Sequence, residues 1–406
     1  MAGCRFCGAP LQDEFADLGM SPLANSYLTP EQANAMEPFY PLRVLVCRAC
    51  FLVQLEAYES AAHIFSDYAY FSSYSTSWLD HARRYVEMVV ERFGLGSGSQ
   101  VVELASNDGY LLQYFREHDV PVLGVEPAAN IAEVAIERGI PTKVEFFGRQ
   151  TATSLARECS ADLVLGNNVL AHVPDLNDFV SGLPLVLKPA GVITMEFPHL
   201  LRLVEDNQFD TIYHEHFSYF SFLTVQRVFA AHGLRCFDVE QLPTHGGSLR
   251  IYGCHEGASH SETQRARQLA ERERAAGYDA LDLYRSYAAR VRASKHEILE
   301  FMIGLKHEGK RIAGYGAPAK GNTLLNYCGI GRDFVDFTVD RNPHKQGLFL
   351  PGTHIPIRSP AAIDEERPDV VFILPWNLRE EIMQQLHHIR DWGGRFLVRA
   401  PQIGLL

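Results

Sequence analysis

In the stretch Gln100-Val101-Val102-Glu103-Leu104-Ala105-Ser106-Asn107-Asp108-Gly109, a short apolar run leads into a turn of small and polar residues. The apolar run has the composition of a buried strand, and Tyr110-Leu111-Leu112 begins a helix directly after the turn. A second strand follows at Val122-Leu123-Gly124-Val125-Glu126-Pro127 and ends in a carboxylate. This alternation predicts a doubly wound parallel sheet, in which ligands bind at the carboxyl ends of the strands.

The alternation of strand and helix extends through most of the chain. The further elements that we predict are helices over 78–93, 128–138 and 261–306, and strands over 162–168, 191–196, 311–313, 334–339, 369–374 and 395–398. We therefore predict an α/β protein with two Rossmann-like domains. The first domain covers residues 76–255, and the second, with a helical linker, covers residues 256–406.

The first 75 residues carry two Cys-x-x-Cys pairs, with 39 residues between Cys7 and Cys47. The four thiolates of Cys4, Cys7, Cys47 and Cys50 complete a closed tetrahedral shell, which is typical of structural zinc. The spacer is longer than the roughly 15–20 residues of common zinc ribbons. We predict a zinc-binding module over 1–75, in which the metal has a structural and not a catalytic role.

The bulk composition narrows the classes of function. The 37 Lys and Arg against 49 Asp and Glu give a formal net charge of -12, which opposes a broad nucleic-acid surface. No run approaches the roughly 18 apolar residues of a membrane span, and the start of the chain has no apolar signal sequence. We expect a cytoplasmic protein without a nucleic-acid or membrane partner, as a monomer or a weak dimer, with reduced or metal-bound cysteines.

The turn after the first strand predicts a nucleotide-type cofactor. Its small residues let the backbone approach a ligand, and Glu126 is placed to bind a ribose diol. This pairing fits S-adenosylmethionine enzymes and dinucleotide enzymes alike. Glu103 favours S-adenosylmethionine, because a carboxylate there can hold the cationic amino-acid tail but would repel a pyrophosphate. Ala105 stands where methyltransferases usually have glycine. The predicted cofactor residues are Glu103, Ala105, Asn107, Asp108, Gly109, Glu126, Asn167 and Asn168.

A second informative cluster is Tyr213-His214-Glu215-His216-Phe217-Ser218-Tyr219-Phe220-Ser221. Burying unpaired titratable groups is costly, so this crowding favours proton-transfer chemistry. The spacing is not His-Glu-x-x-His, which excludes a helical zinc-protease site. The alternative is a helix start with exposed histidines. Because Asp210-Thr211 is a good helix cap, we predict a helix here, on which His214 and His216 diverge by about 200°.

Three further motifs make a family resemblance specific. They are Asn167-Asn168-Val169-Leu170-Ala171-His172-Val173-Pro174-Asp175, His245-Gly246-Gly247-Ser248-Leu249-Arg250, and Gly314-Tyr315-Gly316-Ala317-Pro318-Ala319-Lys320-Gly321-Asn322. With the cysteine pairs, the cofactor turn and Tyr-His-Glu-His-Phe in this order, the chain resembles the sugar C-methyltransferases that act on nucleotide-linked 4-keto-deoxyhexoses. The resemblance covers nearly the whole length. It implies zinc in the N-terminal module, S-adenosylmethionine in the middle domain, and a sugar nucleotide held between this domain and the C-terminal one.

The resemblance also implies roles for individual residues. His216 is the base that removes the C3 proton of the sugar, and Glu215 orients or tunes it. Tyr213, His172 and Tyr70 line the pocket and hydrogen-bond the keto oxygen or a neighbouring hydroxyl, with two other nearby tyrosines as competitors of Tyr70. On sequence alone, His172 is equally compatible with capping the next helix.

The substrate residues are expected mainly in the last domain. Those that we predict are His245, Lys320, Asn322, Arg341 and His344, of which the last four could meet a diphosphate at a helix start. The turn at Gly314-Tyr315-Gly316 resembles a dinucleotide fingerprint, with Asp340 near the usual acidic position. Ala319 stands where the third glycine would be, so NAD is not expected.

Two other functions stay open at this point. Sugar O-methylation needs neither a ketone nor an enolate, and a zinc-ribbon protein that binds nucleic acid is the rival from another class. The nucleotide base and the choice between C3 and C5 as the methylated carbon also stay open.

Overall fold

The structure is a computed structural model of the 406-residue chain, and it describes residues 3–59, 72–74, 76–399 and 403–406. The strands are β1 (Asp13–Ser21), β2 (Tyr40–Val46), β3 (Val53–Leu55), β4 (Val101–Leu104), β5 (Val122–Val125), β6 (Thr142–Lys143), β7 (Ala161–Asn167), β8 (Leu187–Pro198), β9 (Ser218–Tyr219), β10 (Leu234–Leu242), β11 (Ser248–His255), β12 (Ile312–Tyr315), β13 (Thr338–Val339), β14 (Ile357–Arg358), β15 (Val370–Ile373), β16 (Arg395–Val398) and β17 (Gly404–Leu405).

The α-helices of the described residues alternate with these strands. They are α1 (Thr76–Phe93), α2 (Leu112–Glu117), α3 (Ala129–Glu137), α4 (Arg149–Leu155), α5 (Leu176–Val186), α6 (Leu200–Glu205), α7 (Phe222–Ala230), α8 (Gln264–Ala275), α9 (Leu281–His307), α10 (Ala319–Cys328), α11 (Ala362–Glu366) and α12 (Arg379–Gln385). None of the described helices combines the length and the apolar character that are needed to cross a membrane.

The chain divides into two compact units, each built from separate segments. The first comprises Met1–Leu11, Cys47–His199 and Phe217–Leu281, and the second comprises Gln12–Val46, Leu200–His216 and Asp282–Leu406. The domains predicted with boundaries near residues 75 and 255 are each one continuous stretch of the chain. The two units differ from them in kind, because each unit combines segments that are distant in the sequence.

The first unit is built around a seven-stranded sheet with the order β10-β11-β8-β7-β4-β5-β6. The strands β4 to β8 pair in parallel, and β11 lies antiparallel between β8 and β10. All four residues of β4 are buried, because both faces of a central parallel strand are covered. Strand order reverses between β4 and β7, which is where ligands bind in open α/β sheets. The predicted Rossmann-like sheet of the first domain is confirmed.

The helix α1 covers one face of this sheet. Its buried residues follow helical periodicity at Trp78, Ala82, Tyr85 and Val89, and they join Val101 of β4 in one apolar core. The helix predicted over 78–93 is thus confirmed, and the reason is the apolar stripe that it buries.

The second unit holds a six-stranded sheet with the order β14-β13-β12-β15-β16-β17, in which only β17 is antiparallel to its neighbour. This confirms the second Rossmann-like domain. The strand predicted over 334–339 is wrong in length, since only Thr338–Val339 is extended. The backbone amides of Phe334 and Val335 donate to the carbonyl of Gly331, so the first part of that run forms a turn.

The long spacer between the cysteine pairs contains an antiparallel strand pair, β1 with β2, that the sequence analysis did not anticipate. Within the second unit, Phe15 of β1 stacks on Tyr287 of α9, with 4.4 Å between the ring centroids. The spacer is therefore longer than in a common zinc ribbon because it forms part of a different core.

Candidate functional site

The four cysteines of the paired motifs come together in the first unit. Their sulfur atoms all lie within 4.8 Å of one another, and the Cys4–Cys50 and Cys7–Cys47 sulfurs are 3.5 Å apart. A tetrahedron with Zn–S bonds of about 2.3 Å has edges of about 3.8 Å, so the cluster fits zinc. The hydrogen bond between the two thiols lowers the pKa of Cys4 and raises the pKa of Cys50, so Cys4 is the first of this pair to become a thiolate that can bind metal.

The two knuckles of this cluster have the same backbone geometry. The amide of Gly8 donates to the carbonyl of Cys4, and the amide of Phe51 donates to the carbonyl of Cys47, at 2.9 and 2.8 Å. Each closing residue has a positive φ, +74° at Gly8 and +61° at Phe51. The sequence spacing is thus realised as two matching turns that bring the four sulfur atoms together.

The predicted cofactor turn lies at the carboxyl end of β4, next to the point where strand order reverses. Three of its five residues have a positive φ, with values of +54° at Ala105, +50° at Asn107 and +76° at Gly109. Alanine pays a steric penalty in this region, so Ala105 occupies a conformation that suits glycine. A side chain at position 109 would also collide with Ile140. The backbone geometry explains the sequence pattern of the turn.

Glu126 is built into the same turn. Its two carboxylate oxygens accept hydrogen bonds from the backbone amides of Asn107 and Ala128, each at 2.9 Å. Each oxygen keeps a second lone pair, which is what a ribose diol requires. Burial raises the pKa of Glu126. The ribose contact stays a prediction.

Glu103 carries an unmatched buried oxygen beside this turn. Its side chain is 1% exposed, and its Oε2 atom has no hydrogen-bond partner among the described residues. Burial, together with the charges of Glu126 and Asp108, raises the pKa of Glu103 well above its ordinary value. A buried carboxylate of this kind fits a cationic ligand group such as the ammonium of S-adenosylmethionine.

Asp108 contacts residues outside the turn. Its Oδ2 atom contacts the hydroxyl of Ser73 and lies 3.3 Å from the guanidinium of Arg138. Asn107 accepts a hydrogen bond from the amide of Ser72 at 2.9 Å. The side chains of both predicted cofactor residues therefore also hold the segment that precedes α1.

The predicted pair Asn167 and Asn168 follows β7. The side-chain nitrogen of Asn167 is buried without a hydrogen-bond partner among the described residues. Asn168 has a φ of +56°, and its side-chain nitrogen lies 3.3 Å from Nε2 of His245. His245, which we predicted as a substrate residue, thus lies beside a predicted cofactor residue.

A buried ionic cluster at the end of β8 was not predicted. Glu196 is fully buried and accepts from Arg250 at 2.7 Å and from Thr244 at 2.9 Å, and His81 lies 2.9 Å away. Burial alone would raise the pKa of Glu196, but hydrogen bonding with His81 and the charge of Arg250 bring it to about 2. Arg250 is the last residue of the motif His245–Arg250, and this motif is the sequence signal that marked part of the cluster.

Trp78 is a second residue that the sequence analysis missed. Its ring lies 4.9 Å from the ring of His81, 5.1 Å from that of His245 and 6.0 Å from that of Tyr110. Tyr110 directly follows the cofactor turn. An aromatic wall therefore joins that turn to His245, and helical periodicity alone had marked Trp78 only as a core residue.

His172 lies in a short 3₁₀ turn after β7, Leu170–His172. Burial lowers the pKa of His172 to about 4, so the ring is neutral near pH 7. It does not cap the next helix, because the Asp175 side chain accepts from the amide of Asp178 there. Tyr70, the other predicted pocket residue outside the 213–216 segment, lies outside the described residues.

In the second unit, the predicted helix over the Tyr213–His216 segment is wrong. The 3₁₀ turn Phe209–Thr211 ends before it, and helix α7 begins only at Phe222, where the Ser221 side chain supplies the cap. Asp210 does not cap a helix, because its carboxylate accepts a hydrogen bond from the indole of Trp376 and pairs with Arg399. The segment is an irregular turn instead.

This turn gives His216 a defined orientation. The His216 Nδ1 atom lies 3.0 Å from the carbonyl oxygen of Thr211. Because a carbonyl only accepts, the neutral ring carries its proton on Nδ1 and its lone pair on Nε2. The Tyr213 ring lies 4.0 Å from the His216 ring. The arrangement makes Nε2 the nitrogen that can accept a proton.

Glu215 and His214 point to different neighbours in the second unit. The Glu215 carboxylate accepts a hydrogen bond from the side-chain amide of Asn25 at 2.6 Å. His214 Nε2 lies 3.3 Å from the carbonyl of Pro41, and burial lowers the pKa of His214. The two histidines therefore contact different carbonyl groups, that of Pro41 for His214 and that of Thr211 for His216, in a segment that is not helical. No sequence signal had marked Asn25.

The predicted substrate residues of the second unit differ in exposure. Lys320 donates to Asn377 at 2.8 Å and lies 4.6 Å from the ring of Trp376, and burial lowers its pKa to about 8. Asn322 is 2% exposed and donates to the carbonyl of Ala24 at 2.7 Å. The other two, Arg341 and His344, are exposed. Their roles stay predictions.

Three family models match successive parts of the chain. A zinc binding domain matches residues 4–65, a methyltransferase domain matches residues 78–239, and a C-methyltransferase C-terminal domain matches residues 243–401. The chain is 38% identical over 400 residues to C-methyltransferase NovU of Streptomyces niveus, and the match covers 98% of this chain and 95% of that protein.

Solved structures are similar over part of the chain. Magnesium protoporphyrin IX methyltransferase from Synechocystis PCC 6803 with bound SAH is 13% identical, with a TM-score of 0.35, and the match covers 44% of this chain and 83% of that one. A SAM dependent methyltransferase from Aquifex aeolicus is 16% identical, with a TM-score of 0.32, and the match covers 41% of this chain and 88% of that one.

The sheet and the matching domains define a methyltransferase that uses S-adenosylmethionine and carries a zinc-binding module. The chain belongs to the S-adenosylmethionine-dependent C-methyltransferases, the family of its relative NovU. Of the functions left open by the sequence, this membership selects methylation of carbon.

Proposed function

We propose that the chain methylates C3 of a nucleotide-linked 4-keto-6-deoxyhexose and so makes a branched-chain deoxysugar. The observation that carries this proposal is the hydrogen bond between His216 Nδ1 and the carbonyl of Thr211, since it leaves Nε2 as the basic nitrogen. Methylation of carbon needs a carbanion. A proton next to a ketone is acidic enough for an imidazole to remove when the enolate is stabilised.

In this proposal, His216 Nε2 takes the C3 proton. The C–H electron pair forms the C3=C4 double bond of an enolate, and the negative charge moves to the C4 oxygen. Tyr213, neutral His172 and Tyr70 donate hydrogen bonds to that oxygen or to a neighbouring hydroxyl. S-adenosylmethionine would supply an electrophilic sulfonium methyl group. As the C4 ketone re-forms, the electron pair at C3 would bond to this methyl group, and the sulfur would keep the electron pair of the broken S–C bond. Glu215 stabilises the imidazolium until His216 returns its proton to water.

The other predicted residues bind the two ligands. Glu103 holds the ammonium of S-adenosylmethionine, and Glu126 holds its ribose. Lys320, near the start of the ten-residue helix α10, meets the diphosphate of the sugar nucleotide. The accompanying contacts come from His245, Asn322, Arg341 and His344.

The deciding experiment incubates the chain with S-adenosylmethionine and a panel of thymidine- and guanosine-linked 4-ketosugars in deuterated water. We expect a product that is heavier by one methyl group on C3, and deuterium uptake at C3 when S-adenosylmethionine is left out. Methylation at C5, methylation of an oxygen, or no product from any 4-ketosugar would contradict the proposal.

The diphosphate contact has its own test. Lys320→Met removes the cation and keeps the apolar stem, so the KM for the sugar nucleotide should rise about tenfold with little change in kcat. Lys310→Met, which replaces another lysine of the second unit, is the matched control. An unchanged KM in Lys320→Met would remove this residue from the substrate site.

A further inference from the structure

Asn25 contacts the predicted catalytic segment from a distant part of the sequence. Its side-chain nitrogen donates to Oε1 of Glu215 at 2.6 Å, within the second unit. Glu215 is 5% exposed, whereas Asn25 is exposed. A surface residue therefore donates to a nearly buried carboxylate. A hydrogen bond from a neutral amide to an ionised carboxylate is stronger than a neutral pair, and it does not depend on the protonation of Asn25.

The backbone next to Asn25 is fixed by helix α10. Asn322 donates its side-chain amide to the carbonyl of Ala24 at 2.7 Å, and the hydroxyl of Thr323 donates to the carbonyl of Ile212 at 3.0 Å. Asn322 and Thr323 are consecutive and both are buried. One turn of α10 therefore contacts two segments at once. It binds the segment that carries Asn25 and the segment that leads into Tyr213.

The same N-terminal stretch is fixed again two residues after Asn25. The hydroxyl of Tyr27 donates to the carbonyl of Ala317 at 2.5 Å, and the ammonium of Lys345 donates to the same carbonyl at 2.9 Å. The Lys345 ammonium also lies 4.8 Å from the centre of the Tyr27 ring. The chain is thus tied on both sides of Asn25, and Oδ1 of Asn25 itself lies 3.3 Å from the Tyr27 hydroxyl, which limits the orientations of the amide.

We propose that Asn25 is a positioning residue that acts through Glu215. Its amide holds the Glu215 carboxylate in one orientation, in which Glu215 supports the neighbouring His216 as that ring gains and loses a proton. Asn322 then supports the catalytic segment indirectly. Its hydrogen bond to Ala24 fixes the residue next to Asn25, and Asn25 in turn holds Glu215. This inference rests on the proposed function of Glu215 and His216.

The test is a double-mutant cycle on turnover. Asn25→Ala should lower kcat about 10- to 100-fold, with the KM for both ligands changed less than about twofold. In a Glu215→Ala background, the same substitution should lower kcat less than about twofold, because the partner is already missing. Equal losses in both backgrounds, or no loss in either, would overturn the proposal.

The control is Asn34→Ala, an exposed asparagine of the same unit whose amide donates to the nearby carbonyl of Pro30. It should leave kcat unchanged. A wild-type chain without activity on any 4-ketosugar would overturn the proposed function. In that case, the Asn25–Glu215 bond is tested by thermal unfolding of the wild type, the two single variants and the double variant. Additive changes in Tm would overturn the inference as well.

Discussion

Glu126 accepts a hydrogen bond from the backbone amide of Asn107 over 2.9 Å, across the turn at which the cofactor is proposed to bind. The bond ties the end of β5 to the turn after β4. A residue that was predicted only as a ribose acceptor is therefore also part of the architecture of the turn, and variants at this position must separate the two roles.

For Glu126, we compare alanine with glutamine. Glu126→Ala leaves the buried amides of Asn107 and Ala128 without acceptors, at a cost of about 1–3 kcal/mol each, so stability and cofactor affinity should fall together. Glu126→Gln keeps one acceptor oxygen and should lose affinity with a smaller change in Tm. Calorimetry and thermal unfolding measure both, with the exposed Glu133→Gln as control. Unchanged affinity in both variants would refute the ribose contact.

Glu103 predicts a pH dependence of cofactor binding. Its pKa is raised by burial and by two neighbouring carboxylates, so the free protein holds it protonated well above pH 4.5. A bound ammonium favours the ionised form, so binding should release a proton and affinity should rise with pH until Glu103 ionises by itself. Calorimetry in two buffers of different ionisation enthalpy detects the proton. Glu103→Gln should abolish its release, and the same release in that variant would assign the proton elsewhere.

His216 and His214 form a matched pair for the base. His216→Asn removes the lone pair on Nε2, so turnover should fall about 100- to 10,000-fold with little change in the binding of either ligand. His214→Asn should retain most of the turnover, since that ring contacts the carbonyl of Pro41. Deuterium exchange at C3 without methyl transfer is the measurement. Loss of exchange in His214→Asn alone would overturn the assignment, and loss in both would mean a coupled pair.

Ala105 is predicted to reduce stability through its backbone conformation. Its φ of +54° costs an alanine about 1–2 kcal/mol, so Ala105→Gly should raise the free energy of unfolding by about 1 kcal/mol after the entropy cost of glycine. Ala156→Gly, at a φ of -61°, should lower it instead. Denaturant titration measures both changes. A loss of stability in Ala105→Gly would show that the methyl group makes contacts that outweigh the strain.

Zinc should be present at one ion per chain and should stabilise the fold. Cys47→Ser removes a ligand, so metal content should fall towards zero and Tm should drop, because structural zinc contributes directly to folding. Cys159→Ser, outside the cluster, should keep both. Metal analysis and thermal unfolding test this. Activity that follows free metal in a chain of unchanged Tm would instead indicate a catalytic ion.

The sequence by itself determined the elements whose pattern is local. Apolar runs and helical stripes located the strands β4, β5, β7 and β15 and the helix α1, because burial on one or both faces leaves a fixed period in the chain. Cysteine spacing located the zinc cluster, because four thiolates in two short turns have few other uses. The crowding of titratable side chains marked the segment of His216, and the family resemblance selected His216 within it.

The tertiary structure decided what depends on partners far along the chain. The helix expected after Asp210 is absent because Trp376 and Arg399 occupy its carboxylate, a competition that no local pattern contains. Asn25 contacts Glu215 in the second unit, and Glu196 contacts His81 and Arg250 in the first unit, although the partners lie 54 to 190 positions apart in the sequence. Hydrogen bonds between such distant groups leave no period in the sequence, so only the folded chain shows which carboxylate each donor meets.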